Sequence, residues 1–145
     1  MSITEPHDMP VEEIRDGEDV LAVILRSSYS EPGVHFFSRG NFSQQLGFIK
    51  HAAGHVIPPH VHNEVQREVT LTQETLFVRR GAVRVDLYRA DREFLLSRVL
   101  RTGDVILLAT GGHGFEILED SEIVEAKQGP YAGDGDKTRF EARPR

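Results

Sequence analysis

Short apolar runs separated by polar turn residues fill the middle of the chain. The runs are Val20–Arg26, Gln45–His51, Thr75–Arg79, Ala82–Tyr88, Phe94–Leu100, Val105–Leu108, Gly114–Leu118 and Ile123–Lys127. They are rich in Val, Ile, Leu and Phe, which favour strands, and turn residues such as Arg80-Gly81 and Glu119-Asp120-Ser121 lie between them. Many short strands joined by polar turns are typical of a β-sandwich or β-barrel. The pattern therefore predicts an all-β domain, with one short acidic helical turn after Pro10.

The two ends of the chain differ from this middle part. Residues 1–19 are acidic and lack a long apolar run, and the last residues are rich in Gly and Asp, with Phe140 as the apolar anchor. A length of 145 residues suits one domain. We predict an N-terminal arm at 1–19, a barrel at 20–131 and a polar C-terminal tail at 132–145.

Charge and composition exclude several classes of protein. With 17 basic and 23 acidic residues, the formal net charge of −6 gives no bulk attraction to nucleic acid or to an anionic membrane. The absence of cysteine excludes disulfides, thiolate nucleophiles and cysteine metal sites, and it fits a reducing compartment. The N-terminus does not have the pattern of a signal peptide. We expect a cytoplasmic protein with no nucleic-acid or membrane partner.

A histidine pair provides the first chemical signal. His60 and His62 flank Val61 directly after Pro58-Pro59. On a strand, this spacing places both rings on one face, an arrangement that suits a divalent metal better than a packed core. The alternative is that both rings face solvent on an edge strand, which the two prolines would mark.

Two further polar residues begin apolar strand faces. Glu74 shares a face with Leu76 and Val78, and His113 shares one with Phe115 and Ile117. A carboxylate on an apolar face needs a partner, for which a cation is suited. The alternatives are a carboxylate at a solvated rim and a histidine in a glycine-rich turn. A set of histidine and carboxylate ligands without cysteine suits Zn, Mn, Ni or Fe.

The spacing of these residues resembles the two motifs of the cupin superfamily. The first motif, G-x5-H-x-H-x3,4-E-x6-G, is matched with a longer middle gap by Gly54, His60, His62, Glu74 and Gly81. The second, G-x5-P-x-G-x2-H-x3-N, is matched less closely by Gly103, Ala109, Gly111 and His113. Ala109 replaces the proline, one spacer residue is missing, and Ile117 stands where the motif has asparagine.

This resemblance implies a fold, a ligand set and partners. The implied fold is a double-stranded β-helix, the cupin jelly-roll barrel, and the implied metal ligands are His60, His62, Glu74 and His113. Glu64 and Glu68, in the long insertion Asn63–Gln73, are alternatives to Glu74, which alone has the six-residue run to Gly81. The chain also looks like small single-domain cupins that accompany bacterial surface-sugar biosynthesis. That likeness implies a sugar-like small-molecule ligand and a homodimer.

Three functions are compatible with such a site. The first is a metal-dependent isomerase or epimerase acting on a sugar or a related small polar molecule. Its candidate catalytic residues are Glu74, and His51 or His55 acting through a water. The second is an Fe(II)-dependent oxidoreductase of the dioxygenase type, and the third is a small-molecule-binding protein without turnover. The sequence does not separate these functions.

Overall fold

The computed structural model describes residues 9–142, and it confirms the all-β prediction. Its eight strands are β1 (Val11–Asp16), β2 (Asp19–Leu25), β3 (Gly33–Phe36), β4 (Gly47–Lys50), β5 (Glu74–Tyr88), β6 (Phe94–Arg101), β7 (Val105–Leu108) and β8 (Gly112–Lys127). A short 3₁₀ helix follows at Gly133–Asp136. Residues 1–8 of the expected arm and 143–145 of the expected tail lie outside the described residues. Within the described range, no helix is both long and apolar enough to span a membrane.

Six of the strands form one antiparallel sheet with β5 at its centre. The order is β1-β2-β7-β5-β6, and β8 also pairs with β5. Residues 74–77 of β5 pair with β7 and residues 82–88 pair with β6, whereas β8 accompanies β5 from end to end. Strands β3 and β4 form a separate two-stranded sheet. The long β5–β8 ladder therefore lies at the centre of the pairing, since β6 and β7 both pair with β5 along its other edge.

Two predicted turns are wrong, because they are bends inside continuous strands. Arg80-Gly81 lies within β5 and Glu119-Asp120-Ser121 lies within β8, and the pairing register shifts between Val78 and Val83. Gly81 has φ +103°, and a Cβ built on it would lie 2.5 Å from the backbone oxygen of Asp120. The two turn-like sequences face each other, so the bulged ladder bends there without ending.

The predicted helical turn after Pro10 is also wrong, because this stretch forms strand β1. Its Glu12 and Ile14 are buried and alternate with less buried neighbours, which is the period of a strand. Ile14 joins the core, and Glu12 accepts hydrogen bonds of 2.9–3.1 Å from Arg98 of β6. Residues 11–16, which the sequence placed in an arm, therefore belong to the sheet through pairing with β2.

The core shows that the sheet is curled. Leu76 and Val78 from the first half of β5 share one buried cluster with Val85 and Leu87 from its second half. A second cluster, centred on Val23 and Leu107, lies on the other face of β2 and β7, where aromatic side chains around β3 and β4 cover it. The curled sheet thus forms a half-barrel, a shape that is compatible with a β-barrel.

Candidate functional site

The curl brings together two of the predicted site residues, Glu74 and His113. Along the β5–β8 ladder they lie at opposite ends, since Glu74 is paired with Lys127 and His113 is paired with Leu87. Their side chains nevertheless meet, with His113 Nε2 3.1 Å from Glu74 Oε2. The bend at Gly81 folds the ladder over, so that its two ends face each other. The meeting of Glu74 and His113 therefore follows from the shape of the sheet and not from nearness along the chain.

The Glu74–His113 pair lies at the border of the apolar core. The Glu74 side chain is 14% exposed and the His113 side chain is 29% exposed. Leu76, one pleat repeat along β5 from Glu74, belongs to the core cluster, and the ring of Phe115 lies against His113 at 5.5 Å between centroids. The pair is thus held on an apolar floor while it remains accessible to a small molecule.

The surroundings keep Glu74 ionised. The hydrogen bond from His113 lowers the pKa of Glu74 below its ordinary value. Partial burial acts in the opposite direction, and the charges of Lys127 and Lys137 lower this pKa further. Glu74 is therefore a carboxylate at neutral pH and can accept a proton or bind a cation.

The sequence analysis did not place the two lysines beside this pair. Lys127 is the last residue of β8, directly opposite Glu74. Its alternation with Ile123, which packs on the core, is the sequence signal that could have placed it on the same face. Lys137 comes from the C-terminal tail, and no periodicity in that tail predicts its position.

The C-terminal tail packs over this end of the half-barrel. Asp136 Oδ2 lies 3.9 Å from Lys127 Nζ. The predicted anchor Phe140 packs edge-to-face on Tyr88 at 5.1 Å and lies against Gly112, where a Cβ would meet its ring at 3.0 Å. The tail therefore forms a wall beside His113, which follows Gly112 in the chain.

The two other predicted metal ligands lie elsewhere, in a long exposed segment. Residues 51–72, the exposed segment from here on, contain no strand, and every one of them is exposed. The strand predicted around His60 and His62 is therefore absent. The His60 and His62 rings are 5.3 Å apart, and His60 Nδ1 lies 2.9 Å from the backbone oxygen of Pro58. Glu64 and Glu68, the alternatives to Glu74, lie in the same segment.

The candidate catalytic histidines also belong to the exposed segment. His51 and His55 stack with their ring centroids 3.8 Å apart, and the backbone N–H of His55 donates to the oxygen of Ala52 at 3.2 Å. These two rings therefore pack against each other within a short stretch of the chain.

Two of the four predicted ligands therefore converge within one chain. Glu74 and His113 have the donor chemistry and the spacing of metal ligands. In residues 9–142, however, no three His, Asp or Glu side chains are grouped so that they could hold a metal ion. The described residues thus bring together two of the four predicted ligands, and the ligand roles of His60 and His62 stay predictions.

Comparison with known proteins identifies no similar protein. No protein-family model matches the chain, and no curated protein or solved structure matches it significantly. The fold and site described above therefore rest on this chain's own residues.

Proposed function

We propose that the protein is a metal-binding cupin that acts as an isomerase or epimerase on a sugar or a related small polar molecule. The observation that supports this proposal is the 3.1 Å contact between Glu74 and His113. The sequence placed these residues in two separate motifs, and each was expected to ligate the same cation. A bound divalent metal would polarise the oxygens of such a substrate.

Proton transfer is the reaction step for which the residues of this chain are suited. Glu74 is ionised and largely shielded from water, so when it is not bound to the metal it can accept a proton from a carbon next to a carbonyl group. Without metal, His113 donates to Glu74 and holds the carboxylate in place; with a metal bound, both side chains would be its ligands. Lys127 and Lys137 add positive charge beside Glu74, which favours a substrate with hydroxyl, carboxylate or phosphate oxygens. This arrangement supports isomerisation more directly than oxygen chemistry.

Metal content tests the binding part of the proposal. The protein is purified with a tag that does not bind metal, dialysed against zinc and analysed for bound metal per chain. We expect about one zinc per chain in the unmodified protein and a loss of at least ten-fold in Glu74→Ala, because each removed ligand weakens a metal site strongly. Glu31→Ala, at an exposed position in the loop before β3, is the matched control. Zinc content that is unaffected by Glu74→Ala would refute the metal site.

Hydrogen exchange tests the reaction. Free and nucleotide-linked aldoses and ketoses are incubated with the metal-loaded protein in D₂O, and NMR detects deuterium on the carbon next to the carbonyl. We expect incorporation that is lost in Glu74→Gln. Saturable binding without incorporation would replace the isomerase with a binding protein, and iron-dependent oxygen uptake would replace it with an oxidoreductase.

A further inference from the structure

A cavity lies on the face of the sheet opposite to the Glu74–His113 pair. Gln73 directly precedes β5 and continues its pairing with the chain after β8, since the backbone N–H of Gln128 donates to the Gln73 oxygen at 2.9 Å. Successive side chains of an extended chain point to opposite faces, so Gln73 points away from the side that Glu74 shares with His113. The cavity that Gln73 lines is therefore separate from the proposed active site.

Three parts of the chain form this cavity, whose volume is about 250 Å³. They are the turn from β1 into β2 at 18–20, the loop before β4 at 39–43, and the end of the exposed segment at 68–71. Pockets for drug-sized ligands have volumes of roughly 300–1,000 Å³. The cavity therefore suits a smaller molecule, of the size of a single sugar ring.

Gln73 supplies a shielded donor that the protein does not use. The residue lines the cavity although it is only 1% exposed. Its side-chain oxygen accepts from Ser43 Oγ at 3.2 Å and from the backbone N–H of Gln44 at 3.1 Å. Within residues 9–142, its amide nitrogen Nε2 donates to no acceptor. Because a shielded N–H group without a partner is costly, Gln73 favours a ligand that offers an oxygen to Nε2.

The rim of the cavity carries groups of the opposite kind. The carboxylates of Glu18, Asp19 and Glu68 are exposed, and none of them forms a hydrogen bond or an ion pair in the described part of the chain. Arg39 also lines the cavity, and its Nη1 already donates to the backbone oxygen of Glu18 at 3.0 Å. The rim thus has more negative than positive charge, which disfavours phosphate and carboxylate ligands.

Apolar side chains form the rest of the lining. Val20 belongs to the second core cluster and Phe42 packs against it, while Val69 and Leu71 come from the exposed segment. Small-molecule sites combine such apolar walls with a few polar groups that fix the ligand's orientation. This combination suits a ring with C–H groups on its face and hydroxyl groups around its edge.

We propose that this cavity is a second binding site, for a small uncharged molecule with several hydroxyl groups, such as a single sugar or a cyclic polyol. A hydroxyl group is both donor and acceptor, so it can donate to the rim carboxylates and accept from Gln73 Nε2. Fully ionised phosphate has no proton to donate to these carboxylates, and an ammonium group has no lone pair to accept from Gln73. The inference depends neither on a metal nor on Glu74.

NMR of the metal-free chain tests the site. The protein is labelled with nitrogen-15, treated with EDTA and titrated separately with D-glucose, D-galactose, myo-inositol, inorganic phosphate and spermidine. The two side-chain N–H signals of Gln73 are identified by their absence in Gln73→Glu. We expect at least one uncharged probe to shift these signals saturably, whereas phosphate and spermidine leave them in place.

Two variants test the donor and the acceptors separately. Gln73→Glu keeps the oxygen that Ser43 and Gln44 use but lacks the amide donor, so it should weaken binding of the uncharged probe by about ten-fold or more. Glu68→Gln changes an exposed rim residue and should weaken binding several-fold, because a charged acceptor forms the stronger hydrogen bond. Glu31→Gln makes the same charge change at an exposed position outside the cavity and should bind like the unmodified protein.

Each contrary result is distinct. No shift of the Gln73 signals with any uncharged probe would overturn the site, and shifts with phosphate or spermidine alone would overturn the ligand class. Equal affinity in Gln73→Glu, Glu68→Gln and Glu31→Gln would show that the probe binds elsewhere. Shifts confined to His113 and its neighbours would overturn this inference and leave the proposed function standing. Failure of the zinc and hydrogen-exchange experiments would overturn the proposed function without affecting the cavity.

Discussion

Gly81 holds the bend that brings Glu74 to His113, so Gly81→Ala tests the geometry on which the site depends. Its φ is +103°, in a region that side chains rarely adopt. An alanine Cβ would lie 2.5 Å from the Asp120 backbone oxygen and 2.8 Å from Ser121 Cα. These are backbone atoms of β8, so relief requires the two strands to move apart.

The expected cost has two parts. The left-handed backbone conformation costs an alanine about 1–2 kcal/mol. Forcing an extra methyl group into a closely packed place costs about 1–3 kcal/mol more. Their sum is about 2–5 kcal/mol of unfolding free energy, which at about 4 °C per kcal/mol lowers the melting temperature by about 8–20 °C.

Gly17→Ala separates the two parts. Gly17 also has positive φ, +61°, but a Cβ there would meet no atom within 4 Å. Its alanine variant should lose only the backbone part, about 1–2 kcal/mol. Both variants are followed by circular dichroism during thermal and urea unfolding. If Gly81→Ala were no less stable than Gly17→Ala, the close approach of β5 to β8 at this bend would be refuted.

Three further predictions concern other parts of the fold. Asp104 forms a buried ion pair with Arg26 at 3.0 Å, so Asp104→Ala leaves the Arg26 charge buried without its carboxylate partner. The free energy of unfolding, measured in urea, should fall by about 3–5 kcal/mol, and a loss below about 1 kcal/mol would contradict this. The lowered pKa of Glu74 adds stability above about pH 4.3 that is lost as pH falls through the lowered value, so the stability difference between the unmodified protein and Glu74→Gln should shrink in acid. A difference independent of pH would argue against an ionised Glu74. Phe140→Ala should release the tail and speed tryptic cleavage after Lys137 several-fold; an unchanged rate would mean that Phe140 does not anchor it.

Hydrophobic patterning was sufficient to predict most strands, but it could not predict how they bend. Strand β7 was predicted with its observed bounds, Val105–Leu108, because an apolar run between turn residues has one interpretation. Arg80-Gly81 has the composition of a turn, and the same residues also suit a bulge inside a strand. Only the partner strand decides between the two, and β8 is distant in the sequence.

The candidate site shows the same limit. Glu74 and His113 were predicted because a polar residue that begins an apolar face is unusual, and the structure brings these two together. Lys127 was missed because a lysine at the end of a strand is common. Segment 51–72 was predicted to contain a strand from the alternation of His60, Val61 and His62, but alternation indicates a strand only where a neighbouring strand is available.

The pairing of β5 with β8 has a consequence for how the protein folds. Glu74 of β5 pairs with Lys127 of β8, and residues 22–25 of β2 pair with residues 105–108 of β7. Few of these contacts form between close neighbours, so we expect folding on the millisecond-to-second scale of proteins dominated by distant pairings. During synthesis, β5 is made before β8, so the carboxylate of Glu74 cannot contact His113 until β8 has been synthesised.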